Sequence, residues 1–518
     1  MSRALNRFLN RFLNRALNRS LLTTAAGWRR TSFYLALAGL IGFACADLSI
    51  AQSSPGAELA RMLHGFLTPD FHSTHALGAA VANTLAFAFQ GVVLGSLGGF
   101  LLALLWQHRA VRAFAASIRA VHELFWGLLL LQISGLSTVT GVLAIAIPYV
   151  GIFAKMFGEF LEESDPAPAR SLPAGSPHLS RFFYARLPLI WHACKTYTSY
   201  RLECALRASA ILGFIGLPTI GFHLETAFRE GLYSEGAALL YILLALIVTL
   251  RWWMRPPMVP VYLLASLLWA PPVGDIHWSV LVRFVSVDLV PEPLRQGEGL
   301  SGLGSWLQHL WLTQVGPGLW HTIVLGMAAL LLTGVLALAL FPLISPLFGN
   351  RASRGLGHGF LVTVRSIPEF LLAFVFLILL GPSMLPGILA LALHTGGVVA
   401  HLTGRFTAPL RLRADSARGL NRYAYEVLPR VYPNFLAFLL YRWEIIMRET
   451  AVLGILGIHT LGFYIDTDID IFRFDRTLLL ILATVVLNLC VDGLSRWLRG
   501  RLHLSAEPIA ASRDHQAH

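Results

Sequence analysis

Two apolar segments of the chain carry charged residues at the same spacing. Residues 200–222 and 441–463 align without a gap and share the pattern Y-R-x-E-x-x-x-R-x-x-A-[IV]-L-G-x-x-G-x-x-T-x-G-F. Each segment is apolar enough to enter a bilayer, yet Arg207 and Arg448 lie near the segment middles. An ionisable group at that depth costs at least about 3 kcal/mol and is expected to face a bundle interior or a water-filled cavity. The pattern therefore predicts two equivalent, inward-facing charged positions.

Arginine chemistry at these positions would suit an anion. The guanidinium is a planar fork of donors that matches phosphate-like oxygens, so Arg207 and Arg448 are candidates for a substrate pathway. Four hydroxyl side chains add possible donors nearby: Ser209, Thr219, Thr450 and Thr460. The alternative for the hydroxyls is ordinary contact between helices.

Oppositely charged residues also recur four positions apart. The pairs are Arg119/Glu123, Glu203/Arg207, Arg365/Glu369 and Glu444/Arg448. Residues at this spacing share one helix face, so each pair is expected to neutralise itself partly within its own helix. The pairs could serve the pathway, or they could only hold helices together.

The composition places these segments in a membrane protein. The 518 residues are 56% apolar and only 13% charged, with a mean hydropathy of +0.64. Soluble chains carry about twice that charged fraction. The net charge of +12 comes from basic residues clustered at the ends of apolar runs, which is the positive-inside pattern and calls for no nucleic-acid partner.

Several kinds of chemistry are disfavoured by the sequence. A P-loop needs Gly-Lys-[Ser/Thr], but Lys155 follows alanine and Lys195 follows cysteine. ATP hydrolysis must therefore come from another subunit. The four cysteines lack the C-x-x-C spacing of a metal site, and no cofactor is expected. A membrane-embedded enzyme would need clustered His/Asp or Ser/Lys residues, and no such grouping is evident.

The apolar runs predict an all-α polytopic protein of two tandem six-helix halves. About twelve spans are expected, at 33–49, 80–106, 118–134, 139–157, 190–215 and 236–253, then at 258–271, 319–345, 360–381, 385–404, 433–456 and 476–497. Residues match 246 positions apart early in the halves and 241 positions apart later. An even number of spans separates the copies, so the repeat is parallel.

The span pattern also gives the predicted divisions of the chain. They are a basic cytoplasmic arm over 1–30, a first half over 31–256, a second half over 257–498 and a cytoplasmic tail over 499–518. The arm repeats R-[AF]-L-N and is expected to lie on the membrane surface or be disordered, with a partner-binding helix as the alternative.

A polar stretch precedes each charged segment and ends in Leu-Pro. Its marked residues are Gly175, Phe182, Leu187 and Pro188 in the first half and Ser416, Tyr423, Leu428 and Pro429 in the second. Here the chain resembles the permease subunits of ABC importers, whose cytoplasmic coupling loop carries E-A-A-x-x-x-G before Leu-Pro. This sequence departs from that motif: Ala169 stands where Glu is usual, and Ser416 stands where Gly is usual.

Within that superfamily, R-x-x-[PH]-E and the charged segment are most similar to the phosphonate-type permeases. The resemblance implies the type I importer permease fold, with two ATP-binding subunits at the cytoplasmic loops and a periplasmic substrate-binding protein. It also implies location in a bacterial cytoplasmic membrane, both termini cytoplasmic, and uptake of phosphonate or a related phosphorus oxyanion. The alternatives are a fused permease for another small anion or a ferric complex, or a non-transporting scaffold.

Overall fold

A computed structural model describes residues 26–73, 77–173, 175, 177–255, 258–269, 278–502 and 504. Within these ranges the protein consists of helices and their connections, without a β-strand. The expected N-terminal arm lies almost wholly outside the described residues, as does most of the tail.

Eleven helices lie in the predicted first half of the chain, and a twelfth begins the predicted second half. They are α1 (26–45), α2 (Pro55–Leu67), α3 (Leu77–Leu104), α4 (Arg109–Ala120), α5 (Glu123–Ser134), α6 (Thr138–Glu163), α7 (Ala167–Arg170), α8 (His178–Arg181), α9 (Leu187–Ile211), α10 (Ile220–Arg229), α11 (Tyr233–Trp253) and α12 (Val259–Trp269). A π-helical turn, Phe182–Arg186, leads into α9, and a 3-10 turn, Leu212–Ile215, follows it.

Ten further helices complete the described chain. They are α13 (Trp278–Arg283), α14 (Glu292–Arg295), α15 (Gly299–Leu310), α16 (Gly316–Leu340), α17 (Arg351–Ser366), α18 (Glu369–Leu380), α19 (Met384–Arg405), α20 (Leu428–Val452), α21 (Leu461–Asp470) and α22 (Phe474–Arg501). A π-helical turn, Arg422–Val427, leads into α20, and a 3-10 turn, Leu453–Leu456, follows it.

Helix boundaries repeat at the spacings seen in the sequence. The helices α5 and α18 begin 246 residues apart, at Glu123 and Glu369. The helices α9 and α20 begin 241 residues apart, at Leu187 and Leu428, and both end in a 3-10 turn. The helices that carry the repeated charged residues therefore begin at equivalent positions in the two copies.

The third span of each half is not a single straight helix, contrary to expectation. The axes of α4 and α5 meet at 87°, and those of α17 and α18 meet at 88°. In the second half the cause is Pro368, because a residue before proline is pushed out of the helical region, and Ile367 has ψ 126°. In the first half His122 forms the corner, and its Nδ1 accepts the Leu124 N–H at 3.2 Å.

The number of helices that could cross a membrane is below the twelve expected spans. Within the described ranges, six helices are long and apolar enough, and four bent pairs raise the number to at most ten. The two other predicted spans correspond to α1 and to α12. The 11 residues of α12 reach only about 16 Å, which is about half the hydrocarbon thickness.

The first helix of each predicted half packs on the opposite half. Helix α1 lies so close to α16 that a Cβ on Gly39 would sit 2.4 Å from the Leu331 Cβ. Helix α12 instead packs on α3, where Gln90 Nε2 donates to the Ser266 carbonyl at 2.9 Å. The division at 256/257 remains a prediction, but the packing crosses it in both directions.

Candidate functional site

Glycines in the repeated segment allow α10 and α21 to pack closely against the ends of α9 and α20. A Cβ on Gly221 would lie 1.7 Å from the Ala210 carbonyl oxygen, and one on Gly462 would lie 1.8 Å from that of Ala451. Gly216 and Gly457 take φ values of 91° and 85° at the turn, a region that glycine enters without strain. The axes bend there by 52° in the first copy and 43° in the second.

The four predicted hydroxyls hold this backbone together. Thr219 Oγ1 donates to the Ala210 carbonyl at 3.4 Å, and Thr460 Oγ1 donates to that of Ala451 at 3.2 Å. Ser209 and Thr450 donate to the Thr84 and Ile446 carbonyls at 2.8 and 2.7 Å. All four side chains are buried, and none lines the charged cavity described next. These contacts favour the helix-contact alternative for the hydroxyls.

A cavity of about 470 Å³ lies between the two copies of the repeat. Its lining includes six arginines, one lysine, five glutamates and two histidines drawn from both halves. All the predicted intramembrane charges line it, namely Arg119, Glu123, Glu203, Arg207, Arg365, Glu369, Glu444 and Arg448. These charges therefore form one site, although they lie far apart in the chain.

The ion pairs of the cavity join the halves and do not follow the expected four-residue spacing. Arg119 donates to Glu444 at 2.8 Å and to Asp492 at 2.9 Å. It cannot share a helix face with Glu123, because the α4–α5 corner separates them. Neither Glu203/Arg207 nor Glu444/Arg448 forms an ion pair among the described residues. The close ion pairs of these residues thus involve other partners, and partial neutralisation within each four-residue pair remains a prediction.

Arg448 and Arg207 have different partners although their positions are equivalent. Arg448 Nη2 lies 3.5 Å from Glu449 Oε1, and Glu449 Oε2 lies 3.0 Å from His122 Nε2. Arg207 Nη1 donates to the Arg365 carbonyl at 3.3 Å. It forms no ion pair with a carboxylate in the described part of the chain.

Tyrosines surround a further arginine of the first half. The Arg201 guanidinium carbon lies 5.6 Å from the centroid of the Tyr149 ring and 5.4 Å from that of Tyr197. Its Nε donates to the Tyr197 hydroxyl at 2.9 Å. These contacts stabilise the cation through the ring faces and leave it without a carboxylate partner among the described side chains.

Aromatic rings pack between the halves just beyond the cavity. Phe214 follows the cavity-lining Ile211 by one helical turn, and its ring lies 4.9 Å from that of Phe370 and 5.1 Å from that of Phe374. These rings close the space between α18 and the 3-10 turn after α9.

Relatives of the chain are permeases. The model of the family described as the binding-protein-dependent transport system inner membrane component matches residues 332–504. The phosphate-import permease protein PhnE of Mycolicibacterium smegmatis is 24% identical over 495 residues, which cover 86% of this chain and 89% of the relative. The putative cryptic phosphonate transport system permease protein PhnE2 of Escherichia coli is 32% identical over 117 residues, which cover 21% of this chain and 96% of the relative.

The chain belongs to the permeases of binding-protein-dependent transport systems. The phosphite transport system permease protein PtxC of Stutzerimonas stutzeri is also similar, with 25% identity over 234 residues that cover 42% of this chain and 85% of the relative. No solved structure matches the chain. This permease is thus a multi-pass inner-membrane transport component, and ATP hydrolysis belongs to separate subunits.

The polar stretches of the permease are anchored by equivalent aromatic residues. The Phe182 ring lies 5.8 Å from that of Phe100 at the end of α3. Tyr423 stacks on Phe341 at 5.4 Å and donates to the Leu338 carbonyl of α16 at 3.0 Å. The structure places Leu187, Pro188, Leu428 and Pro429 at the starts of α9 and α20, while Gly175 and Ser416 lie in the preceding connections.

Two acidic residues of the permease that pair with cavity arginines, Glu449 and Asp492, could not be named from the charge pattern that the two segments share. Glu449 follows Arg448, and Asp492 lies in α22, and both take part in the ion pairs above. A signal for Glu449 was available, because the equivalent first-half position is Ala208. Asp492 had no comparable signal, since its contact with Arg119 depends on how the halves pack.

Proposed function

We propose that this chain is the transmembrane permease of an ABC importer that moves phosphonate or a related phosphorus oxyanion inward. The observation that carries the proposal is the cavity between the halves, whose basic side chains outnumber its glutamates. The printed names of three relatives supply the substrate class, because they refer to phosphate, phosphite and phosphonate transport.

The charge distribution in the cavity supports an anionic substrate. Arg119 and Arg448 are ion-paired. Arg201, Arg207 and Arg442 line the cavity and form no ion pair among the described side chains. Unpaired guanidinium groups attract oxyanions and can bind them through two parallel N–H donors.

The polar stretches before α9 and α20 are the proposed docking sites for two ATP-binding subunits. Each stretch presents a tyrosine at the equivalent position, and Tyr184 and Tyr425 are 82% and 83% exposed. Their neighbours Phe182 and Tyr423 pack on α3 and α16. A movement of either polar stretch would therefore move the transmembrane helix on which its aromatic residue packs. A substrate-binding protein would dock on the opposite membrane face, and both chain termini would be cytoplasmic.

Reconstitution tests the proposal. The chain is purified with the ATPase and binding-protein products of its neighbouring genes and placed in proteoliposomes. ATP-dependent accumulation of methylphosphonate, phosphite or phosphate, with sulfate as the control anion, is the expected result. Failure of any ATPase to co-purify, or accumulation of none of the three phosphorus oxyanions, would overturn it. Titration of the binding protein with the same anions and with ferric citrate separates the substrate class from the alternatives.

A further inference from the structure

The equivalent cavity arginines Arg207 and Arg448 differ in the residue that follows each of them. Ala208 follows Arg207, whereas Glu449 follows Arg448. Glu449 lies 3.5 Å from Arg448 and neutralises it, while Arg207 contacts the Arg365 carbonyl. Both guanidinium Nε atoms are buried without a hydrogen-bond partner in the described structure. Arg207 and Arg448 therefore have similar unused hydrogen-bond donors, and they differ in the net charge of the groups beside them.

Two carboxylates lie at the α4–α5 corner of the cavity. His122 Nδ1 accepts the Leu124 N–H, so Nε2 is the ring nitrogen that donates to Glu449, at 3.0 Å. Glu123 lies 3.7 Å from the same Nε2. Arg448 is therefore accompanied by two glutamates.

The α17–α18 corner holds a single carboxylate. His394 Nδ1 lies 2.9 Å from the Ile367 carbonyl, which can only accept, so this nitrogen carries a proton. His394 Nε2 lies 3.4 Å from Glu369. Alanine follows Arg207 in the chain where glutamate follows Arg448, so this corner has one carboxylate fewer than the α4–α5 corner.

We propose that the transported oxyanion binds unevenly across the pseudo-two-fold axis, on Arg207, and that Glu449 makes this choice by holding Arg448 in an ion pair. The inference rests on the proposed function. A tetrahedral anion approaching Arg448 must compete with a carboxylate already in place. At Arg207 it competes with no ion-paired carboxylate, only with the Arg365 carbonyl at 3.3 Å and the Cys204 sulfur at 3.5 Å. The Coulomb attraction between Glu449 and Arg448 at this distance is strong enough to favour binding of the oxyanion at Arg207 over binding at Arg448.

Matched variants in the reconstituted complex test the uneven site. Arg207→Gln is expected to lower transported anion per ATP hydrolysed at least about tenfold, and Arg448→Gln about threefold or less, because loss of a charged hydrogen bond is felt only where the anion binds. Ala208→Glu places a carboxylate beside Arg207 without removing an arginine, and should lower transport like Arg207→Gln. The double variant Ala208→Glu/Glu449→Ala moves the carboxylate to the other half and should recover transport, now dependent on Arg448.

Two controls separate folding and function from the uneven site. Co-purification with the ATPase and the ATPase rate stimulated by the binding protein report assembly, and both should survive in Ala208→Glu. Should Arg207→Gln fail to assemble, Arg207→Lys and Ala208→Glu still decide the matter. Equal losses in Arg207→Gln and Arg448→Gln, or full transport by Ala208→Glu, would overturn the inference while leaving the importer intact. Absence of transport by the unaltered chain would instead overturn the proposed function.

Discussion

The two halves of the permease share a backbone but not a cavity surface. Glycines at the α9–α10 and α20–α21 turns occupy equivalent positions with nearly the same clearances, 1.7 and 1.8 Å for an added Cβ. Equivalent cavity positions differ in residue type: His122 in the first half corresponds to Pro368 in the second, and Ala208 corresponds to Glu449. Close packing at the turns thus requires glycine at the same positions in both copies. The charge of the cavity depends on all its side chains together, so a given charged residue can come from either half.

The steric side of this comparison predicts equal and large effects. Gly221→Ala and Gly462→Ala should each destabilise the protein by at least about 3 kcal/mol, because the methyl group overlaps a helix carbonyl that cannot retreat. Gly493→Ala is the control, since a Cβ there meets nothing within 4 Å. Yield and melting temperature in detergent are the measurements. A tolerated substitution in one half only would show that the turns are not equivalent.

The electrostatic side predicts unequal effects at equivalent positions. Arg119→Ala should cost about 3 kcal/mol, because Glu444 loses its ion pair and the buried Asp492 keeps only its contact with Arg496. Arg365→Ala at the equivalent position should cost about 1 kcal/mol or less, since Arg365 forms no ion pair within the described structure. Melting temperatures of the two variants give the comparison, and equal shifts would contradict it.

The exchanged first helices predict a smaller effect that crosses between halves. Gly39→Leu should weaken the contact of α1 with α16 by about 2 kcal/mol, because its Cβ alone would already overlap Leu331. Leu40→Ala on the same helix is the control, since Leu40 is 60% exposed. Protease protection of residues 26–45 in detergent is the readout. Equal protection in both variants would argue against the packing.

The exposed tyrosines predict the smallest effect on stability. Tyr184→Ala and Tyr425→Ala should each shift the free energy of unfolding by less than about 0.5 kcal/mol, because the side chains contact mainly solvent. Each should nevertheless weaken ATPase co-purification by about three- to tenfold, since exposed aromatic residues commonly anchor interfaces. Wild-type retention of the ATPase by the double variant would exclude these side chains from docking.

Much of the helix order could be predicted because the sequence repeats. The spacings of 246 and 241 residues set equivalent helix starts at Glu123 and Glu369 and at Leu187 and Leu428. The right-angle corners were missed because apolar composition does not reveal backbone direction. Pro368 was the one local signal, and its first-half equivalent is His122.

The intramembrane charges that line the cavity could be predicted from the sequence, but the partners with which they form ion pairs could not. Every charge singled out in the apolar segments lines the cavity, since buried ionisable groups must find a polar interior. The choice of partner depends on contacts across the halves, as between Arg119 and Asp492, which are 373 positions apart. A rule based on neighbours along one helix cannot supply such a pair.

The crossed packing of α1 has a consequence for the synthesis of the protein. About 270 residues separate the end of α1 from the start of α16, its partner. At about 5 to 20 residues per second, α1 waits roughly 15 to 55 seconds before the surface it packs on has been translated. During that interval Gly39 and Gly42 face lipid or an insertion factor. A nascent chain that stops before α16 therefore lacks the helix surface on which Gly39 and Gly42 pack in the folded protein.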